Sequence, residues 1–451
     1  MKTVLKANKD ILNILGKPRQ SEFGFRLMKY VLIRQEEDGW LLFHSLTREL
    51  LLLSEEEYSR RFELPELYEK WFLVPEHLDD MKYADQVRFV LKAIKKPSDT
   101  ITGYTIFTTT DCNARCFYCY EMGRSRIPMT EETAHKVAAY IREHSKGQPV
   151  SLGWFGGEPL YNRAVIDVIC EDLSEHGIKY SSTMISNAFL FDDEAVKKAV
   201  DLWKLKSVQV TLDGTESMYN RCKAFIYKDV ESPFQVVISN IERLLAADIR
   251  VVVRMNLDYH NAEDLLLLAD YLHEHFAGQK LVAYSHPLFE FGGSRRNIRI
   301  EAERAELYRK QKLLTRKLEA YGLLTARRIS NTLPSRACMA DSGHSVTVLP
   351  NGELGLCEHY SEDNFIGHID SPTFDAAVQK SFRETWEKTE ACADCALYPE
   401  CIRLKKCVEN EECFAEMREE KTERLLRDIH AAYAQQKNRA EEIFLERAEI
   451  C

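Results

Sequence analysis

The stretch Thr108–Glu121, TTTDCNARCFYCYE, sets Cys112, Cys116 and Cys119 in a C-x3-C-x2-C spacing directly behind the β-prone run YTIF at 104–107. Three thiols on a tight loop after a strand can converge on one metal centre. No fourth cysteine stands nearby; the next along the chain is Cys170. An iron–sulfur cube with one iron left open satisfies this spacing, and so does a zinc knuckle with a distant fourth ligand.

Outward from this loop, strand-like and helix-like segments alternate. Strand patterns cover 104–110, 149–155, 178–186, 207–213, 249–257 and 280–289, with helical patterns at 130–146, 160–176, 192–203, 234–247 and 261–276. Six strand–helix units in series predict a parallel sheet with helices outside it. Six are too few for a closed eight-fold barrel, so a partial (β/α)6 barrel is the expected α/β fold, with a doubly wound sheet as the alternative. In both, the chemistry belongs at the C-terminal strand ends, where the three-cysteine loop sits.

The flanks differ in character. Residues 1–95 hold no cysteine; 25–54 read as two strands around a turn at Glu37–Gly39, followed by two or three short helices, and KKPSDTITG at 95–103 reads as a linker. Residues 330–413 are cysteine-rich with little periodicity, and 414–449 form a charged helical pattern expected to pack on the body as a solvated helix. The expected division is 1–95, 96–325, 326–413 and 414–451. The chain of 451 residues has a net charge of −10, against a general nucleic-acid binder. There is no secretory signal and no long apolar span, so no membrane is expected and the cytoplasm is the default compartment. Thirteen cysteines, clustered in a large chain of this kind, point to metal rather than disulfides.

Further motifs lie at the other strand ends. WFGGEP at 154–159 follows the second strand, and its Gly156 and Gly157 permit close backbone approach. Ser186 and Asn187 end the third, TLDG at 211–214 ends the fourth, and Arg254 and Asn256 share one side of the fifth. Downstream, Cys338 and Cys357 precede Cys392-x2-Cys395-x5-Cys401-x5-Cys407-x5-Cys413, and Gly352 stands five residues ahead of Cys357. Zinc also fits the C-x2-C pair.

Together these residues resemble the radical S-adenosylmethionine (radical SAM) superfamily, whose signature is C-x3-C-x-aromatic-C with Tyr118 as the aromatic. The resemblance implies that Cys112, Cys116 and Cys119 hold a [4Fe–4S] cluster whose free iron chelates SAM, which is cleaved to a 5′-deoxyadenosyl radical. It further implies that Glu158 and the Gly156–Gly157 carbonyls meet the SAM ammonium, that Ser186 and Asn187 meet its ribose, and that Arg254 pairs with its carboxylate, with Tyr118 and Asn256 beside them.

The later cysteines resemble a SPASM extension, with five residues between Cys401 and Cys407 where three are usual. The family partition puts Cys392, Cys395, Cys401 and Cys413 on one auxiliary cluster, and Cys338, Cys357 and Cys407 on another that lacks a fourth cysteine. Three [4Fe–4S] clusters and SAM are thus the implied cofactors. WLLFHSLTRELLLLSEEEY, 40–58, resembles the winged-helix-like recognition domain of ribosomal-peptide maturases, which takes a leader peptide as an added strand. The implied activity is modification of a leader-bearing precursor peptide, foremost as a cysteine thioether cross-link, with an electron donor such as a flavodoxin or ferredoxin. Carbon–carbon or carbon–oxygen cross-linking, formylglycine-type oxidation, and a non-catalytic Fe–S or zinc peptide binder are the alternatives.

Overall fold

The computed structural model describes residues 1–18, 24–94, 100–121, 123–288, 301–334, 338–359, 364–371, 374–407 and 413–449. The 95–99 part of the linker, Phe289 at the end of the sixth strand pattern, and Cys451 lie outside them.

The chain opens with β1 (Lys2–Leu5), α1 (Lys9–Leu15), β2 (Phe25–Leu27), β3 (Val31–Glu36), β4 (Gly39–His44), β5 (Leu50–Leu53), α2 (Glu55–Ser59), α3 (Pro65–Glu69), β6 (Leu73–Pro75) and α4 (Asp80–Ile94). Stretch 25–54 therefore carries four strands where two were expected. β3 and β4 form the anticipated hairpin, but the leucine run at 50–53 is a third strand of the same sheet and β1 a fourth, in the order β1-β5-β4-β3, while β2 pairs with β6. A short unbroken apolar run has no period to assign it, and β1's partner lies some fifty residues away. One face of the sheet packs Leu32, Leu41 and Phe43 against Leu425, Ile429 and Tyr433. The other packs Leu42, Leu51 and Leu53 against Leu67 and Phe72.

The centre is a nine-stranded sheet. Its six parallel strands are β7 (Gly103–Thr109), β8 (Val150–Gly156), β9 (Tyr180–Ser186), β10 (Leu205–Thr211), β11 (Arg250–Leu257) and β12 (Leu281–Pro287). They lie in sequential order from β12 to β7. A doubly wound sheet requires a reversal of strand order, so its absence here leaves the partial barrel. Between them run α5 (Glu131–Ser145), α6 (Arg163–Glu175), α7 (Asp193–Asp201), α8 (Glu216–Lys223), α9 (Pro233–Ala246) and α10 (Ala262–Phe276). Their starts are capped by side chains: Thr130, Asp192 and Ser232 each accept from a backbone N–H of the first turn. The short α8 was not foreseen; it follows TLDG with little apolar periodicity.

Alternation along the strands divides the residues between two layers. On β11, Val251, Val253, Met255 and Leu257 are buried in the main core beneath the helices. Arg254 and its neighbours in register, Thr211 and Tyr284, fall on the opposite, inner face. That face is polar, and the Tyr284 hydroxyl donates to Gln209 Oε1 at 2.9 Å.

Beyond β7 the sheet continues with β13 (Ser345–Val348), parallel to β7, then β14 (Glu353–Gly355) and β15 (Gly367–His368). The cysteine-rich segment thus extends the barrel's sheet, and Val346, Val348, Leu354, Ile366, Phe382 and Leu404 join the main core. α11 (Glu301–Ala320) flanks β12, α12 (Ala376–Ser381) follows β15, and α13 (Ala415–Glu449) closes the chain. α13 is held to α11 by pairs such as Arg304–Glu416 and Arg427–Glu319, and to the amino-terminal sheet by His430–Glu36. No helix among the described residues is long and apolar enough to cross a membrane.

Candidate active site

The three-cysteine loop leaves β7 at its C-terminal end and is fixed on two sides by backbone. On one side is the turn after β8. Gly157 N donates to Thr109 O at 3.0 Å and Glu158 N to Asp111 O at 2.9 Å. A Cβ on Gly156, whose φ is +124°, would lie 2.1 Å from Thr109 O, and one on Gly157 would lie 2.2 Å from Asp111 O. The two glycines are therefore required by the cysteine loop itself, which their backbone approaches too closely for a side chain. On the other side is the end of α8, where Arg115 N donates to Lys223 O at 2.8 Å and Ile226 N to Asn113 O at 2.9 Å.

Glu158 is fully buried. One carboxylate oxygen accepts from Leu160 N and Ser186 Oγ at 3.2 and 2.8 Å, the other from Asn187 N at 2.8 Å. Burial pushes its pKa up to about 7, opposed by those hydrogen bonds. Glu158 thus braces β8 against the end of β9. Asn187 Nδ2 donates to Asn113 Oδ1 at 2.6 Å and lies 3.8 Å from Cys112 Sγ. Ser186 and Asn187, expected at a ribose, spend these groups inside the strand-end network. Arg254 Nε donates to Asn256 Oδ1 at 3.0 Å, so this pair does share one side of β11.

The Tyr118 hydroxyl donates to Asp213 Oδ2 and accepts from Lys223 Nζ at 2.6 Å. Lys223 also pairs with Asp213 at 2.8 Å, with side chains 2% and 1% exposed. Asp213 further accepts from Asn256 N at 3.3 Å. This buried Tyr118–Asp213–Lys223 group was missed in the sequence. The TLDG motif was noted, but Lys223 lies on a helix that gave no pattern.

The residues fit an iron–sulfur ligand set. Cys112, Cys116 and Cys119 are one electrostatically coupled group; burial first, then Glu158, pushes the Cys112 thiol up to about 12, and burial raises Cys116. Buried thiols of this kind ionise when a metal supplies the positive charge. Ala114 N already points at Cys112 Sγ, at 3.3 Å, to donate to a thiolate. Among the described residues no group of three or more His, Cys, Asp or Glu side chains is placed to hold a metal ion.

The later cysteines fall into two groups. Cys338, Cys357 and Cys407 influence one another, and burial raises Cys338 and pushes Cys357 up to about 12. Cys395, Cys401 and Cys413 form the second group and line a cavity of about 490 Å³ with Arg403, Arg418 and Lys421. Cys392 stands beside Cys395, which donates its N–H to the Cys392 carbonyl at 3.4 Å. Arginines and a lysine around such a cavity suit the negative charge of a thiolate-bound cluster. Cys170 is fully buried in α6, and Cys222 is buried on α8.

No curated protein matches this chain in sequence. Among solved structures, SuiB of Streptococcus suis bound to S-adenosylmethionine is 14% identical, with a TM-score of 0.52 over 86% of this chain and 97% of that one. SuiB bound to precursor peptide SuiA is 14% identical, with a TM-score of 0.50 over 84% and 94%. The protein anSMEcpe with bound AdoMet and the Cp18Cys peptide is 16% identical, with a TM-score of 0.56 over 76% and 99%. At these identities the likeness is one of fold. Residues 106–272 match the radical SAM superfamily model, a span that runs from within β7 to within α10 and includes the strand-end residues described above. The match thus lies on the barrel, and the chain shares the partial-barrel fold of these solved structures.

Proposed function

We propose that the protein matures a ribosomally made, leader-bearing precursor peptide by forming cysteine thioether cross-links. The observation that carries the reading is the three-cysteine loop held by backbone against the Gly156–Gly157 turn at the open end of the barrel. We assign these three thiols to a [4Fe–4S] cluster. Tyr118, the Gly156 and Gly157 backbone, Glu158, Ser186, Asn187, Arg254 and Asn256 are assigned to the SAM surroundings. When bound there, cluster and SAM supply a 5′-deoxyadenosyl radical that takes a hydrogen atom from the substrate.

The protein's own contribution is placement. Glu158 acts through its brace on Ser186 and Asn187, and Arg254, half-buried on the inner face, offers a guanidinium to a carboxylate. The polar inner face, with Gln209 and Tyr284 fixed to each other, gives an extended peptide hydrogen-bonding partners along the barrel.

We read residues 1–95 as the peptide-recognition unit, 96–325 as the barrel, 326–413 as the auxiliary-cluster segment and 414–451 as a terminal helix. Both faces of the amino-terminal sheet are covered, so a peptide strand can add only at an edge, β1 or β3. That SuiB has been solved with a precursor peptide supports a peptide substrate for this fold. Cys338, Cys357 and Cys407 provide three thiolates where a saturated cluster takes four, and a substrate cysteine is a donor of matching chemistry. Cys392, Cys395, Cys401 and Cys413 are assigned to a saturated cluster.

The test is mass spectrometry of a precursor peptide after reaction. A cysteine-containing core loses two hydrogens per link, and replacing its cysteines abolishes the loss. Product formation that survives replacement of every core cysteine would eliminate the thioether reading and favour carbon–carbon or carbon–oxygen linkage.

A further inference from the structure

A cavity of about 650 Å³ lies where four parts of the chain meet. Arg34 reaches it from β3 of the amino-terminal sheet, Gln311 from α11, and Arg424 and Arg427 from α13. Its remaining wall belongs to the barrel: Arg250 at the start of β11, and Val282 and Tyr284 on β12. These three alternate in phase with Arg254, so the cavity borders the barrel's inner face. It thus joins the amino-terminal sheet to that face, the two surfaces proposed above to hold the peptide. None of the residues assigned to the cluster or to the SAM surroundings lines it.

Its charges do not cancel. Arg424 pairs with Glu420 at 2.9 Å and Arg427 with Glu319 at 2.5 Å. Arg34 donates from Nε to Glu36 at 2.8 Å. Arg250 and Arg327 are exposed and make no ion pair among the described residues. The remaining carboxylate, Asp428, accepts from the backbone N–H of Arg327 at 2.8 Å. Five arginines against three carboxylates line this cavity, in a chain whose net charge is −10. Such a local surplus draws an anionic occupant.

A simple anion would leave two lining residues unmet. Gln311, 6% exposed, donates from Nε2 to Ser285 O at 3.3 Å, while its Oε1 has no hydrogen-bond partner among the described residues, and neither has Ser285 Oγ. Buried polar atoms left unpaired are rare in folded proteins. An amide oxygen only accepts, so it calls for an N–H, which a peptide carries and a carboxylate or phosphate ion lacks.

We propose that this cavity takes the stretch of precursor peptide between its sheet-bound part and its reacting part, and that this stretch carries Asp or Glu side chains. Its carboxylates meet Arg250 and Arg327, and a main-chain N–H meets Gln311. The proposal rests on the peptide-maturation reading and names the chemistry of one segment of that substrate.

The test is fluorescence anisotropy on the full, iron-reconstituted chain. The probe is a fluorescein-labelled alternating Gly-Glu dodecapeptide, with Gly-Ser and Gly-Lys dodecapeptides as references. The Gly-Glu peptide binds most tightly, and its affinity falls as salt rises. Arg250→Glu reverses a charge at an exposed strand start, and Ala326→Trp crowds the cavity from an exposed loop while every charge stays. Each weakens the Gly-Glu peptide by about tenfold or more. One variant acts through charge and the other through volume, so misfolding of either leaves the other decisive. Lys421→Glu, at the neighbouring cysteine-lined cavity, changes the affinity little. Equal binding of the three peptides, wild-type affinity in both variants, or binding abolished by Lys421→Glu alone overturns the proposal. The maturation reading falls on a different measurement, the mass of the reacted precursor, so the two failures are distinguishable.

Discussion

The cysteine loop at 112–119 and the cysteine segment at 392–413 present the same ligand on opposite kinds of support. The first is held by main chain: to the β8 turn through Thr109 and Asp111, and to the α8 end through Asn113 and Lys223. The second runs through single short turns at 390–392 and 398–400. It is tied to the amino-terminal unit by side chains, with Lys29–Asp394 and Arg48–Glu400 both at 2.7 Å and Ser45 Oγ donating to Ala396 O at 2.7 Å. The difference teaches that the first site is shaped by the barrel before any cofactor arrives. The second is short turns, whose Leu397, Tyr398 and Leu404 reach three separate apolar clusters.

Chelation of iron breaks this comparison most sharply. If the proposed auxiliary cluster binds there, hydrogen exchange should speed up by orders of magnitude at 392–407, since metal binding at structural sites contributes folding free energy of order 10 kcal/mol in general. Strands β7–β9 should keep their protection. Equal loosening of both regions would show that the barrel site is not preformed.

Gly157→Ala attacks the rigid side. Its methyl meets Asp111 O at 2.2 Å, backbone against backbone, and the overlap should cost about 3 kcal/mol. Iron retained at the first site falls while the auxiliary content stays, measured by iron per chain and by loss of the SAM-sensitive EPR signal.

A pH titration sharpens the soft side. His44 is fully buried, with Nε2 at 3.1 Å from Trp71 O. Burial holds its pKa down to about 4, against an unfolded value near 6.5. Below about pH 6.5 the unfolded state takes a proton that the folded one refuses. Stability of the amino-terminal unit is therefore full above that pH and declines by about 3 kcal/mol as pH falls to about 4. Amide exchange at β4 and β5 should show this slope, and His44→Asn should remove it.

The parts legible in the sequence are those with local periodicity. All six barrel strands and five of the helices lie where alternation and the 3.6-residue pattern put them, and their sequential order is the partial barrel. The three-cysteine spacing and the glycine pair drew attention to two loops that the structure holds against each other. What escaped needed contacts distant in sequence. β1 pairs with β5, and β13 joins the barrel sheet through β7. Lys223 has no motif, since its meaning comes from Tyr118, 105 residues earlier. The buried bonds of Glu158 to Ser186 and Asn187 appear only once β9 lies beside β8.

The central claim is that the thiols of the rigid loop, and not those of the soft segment, generate the radical. Its most direct test is 5′-deoxyadenosine formation by anaerobically reconstituted, reduced protein given SAM, comparing wild type, Cys112→Ala and Cys395→Ala. The account predicts product from wild type, none from Cys112→Ala, and retained SAM cleavage in Cys395→Ala. Product from Cys112→Ala at the wild-type rate, or none from wild type, would contradict it.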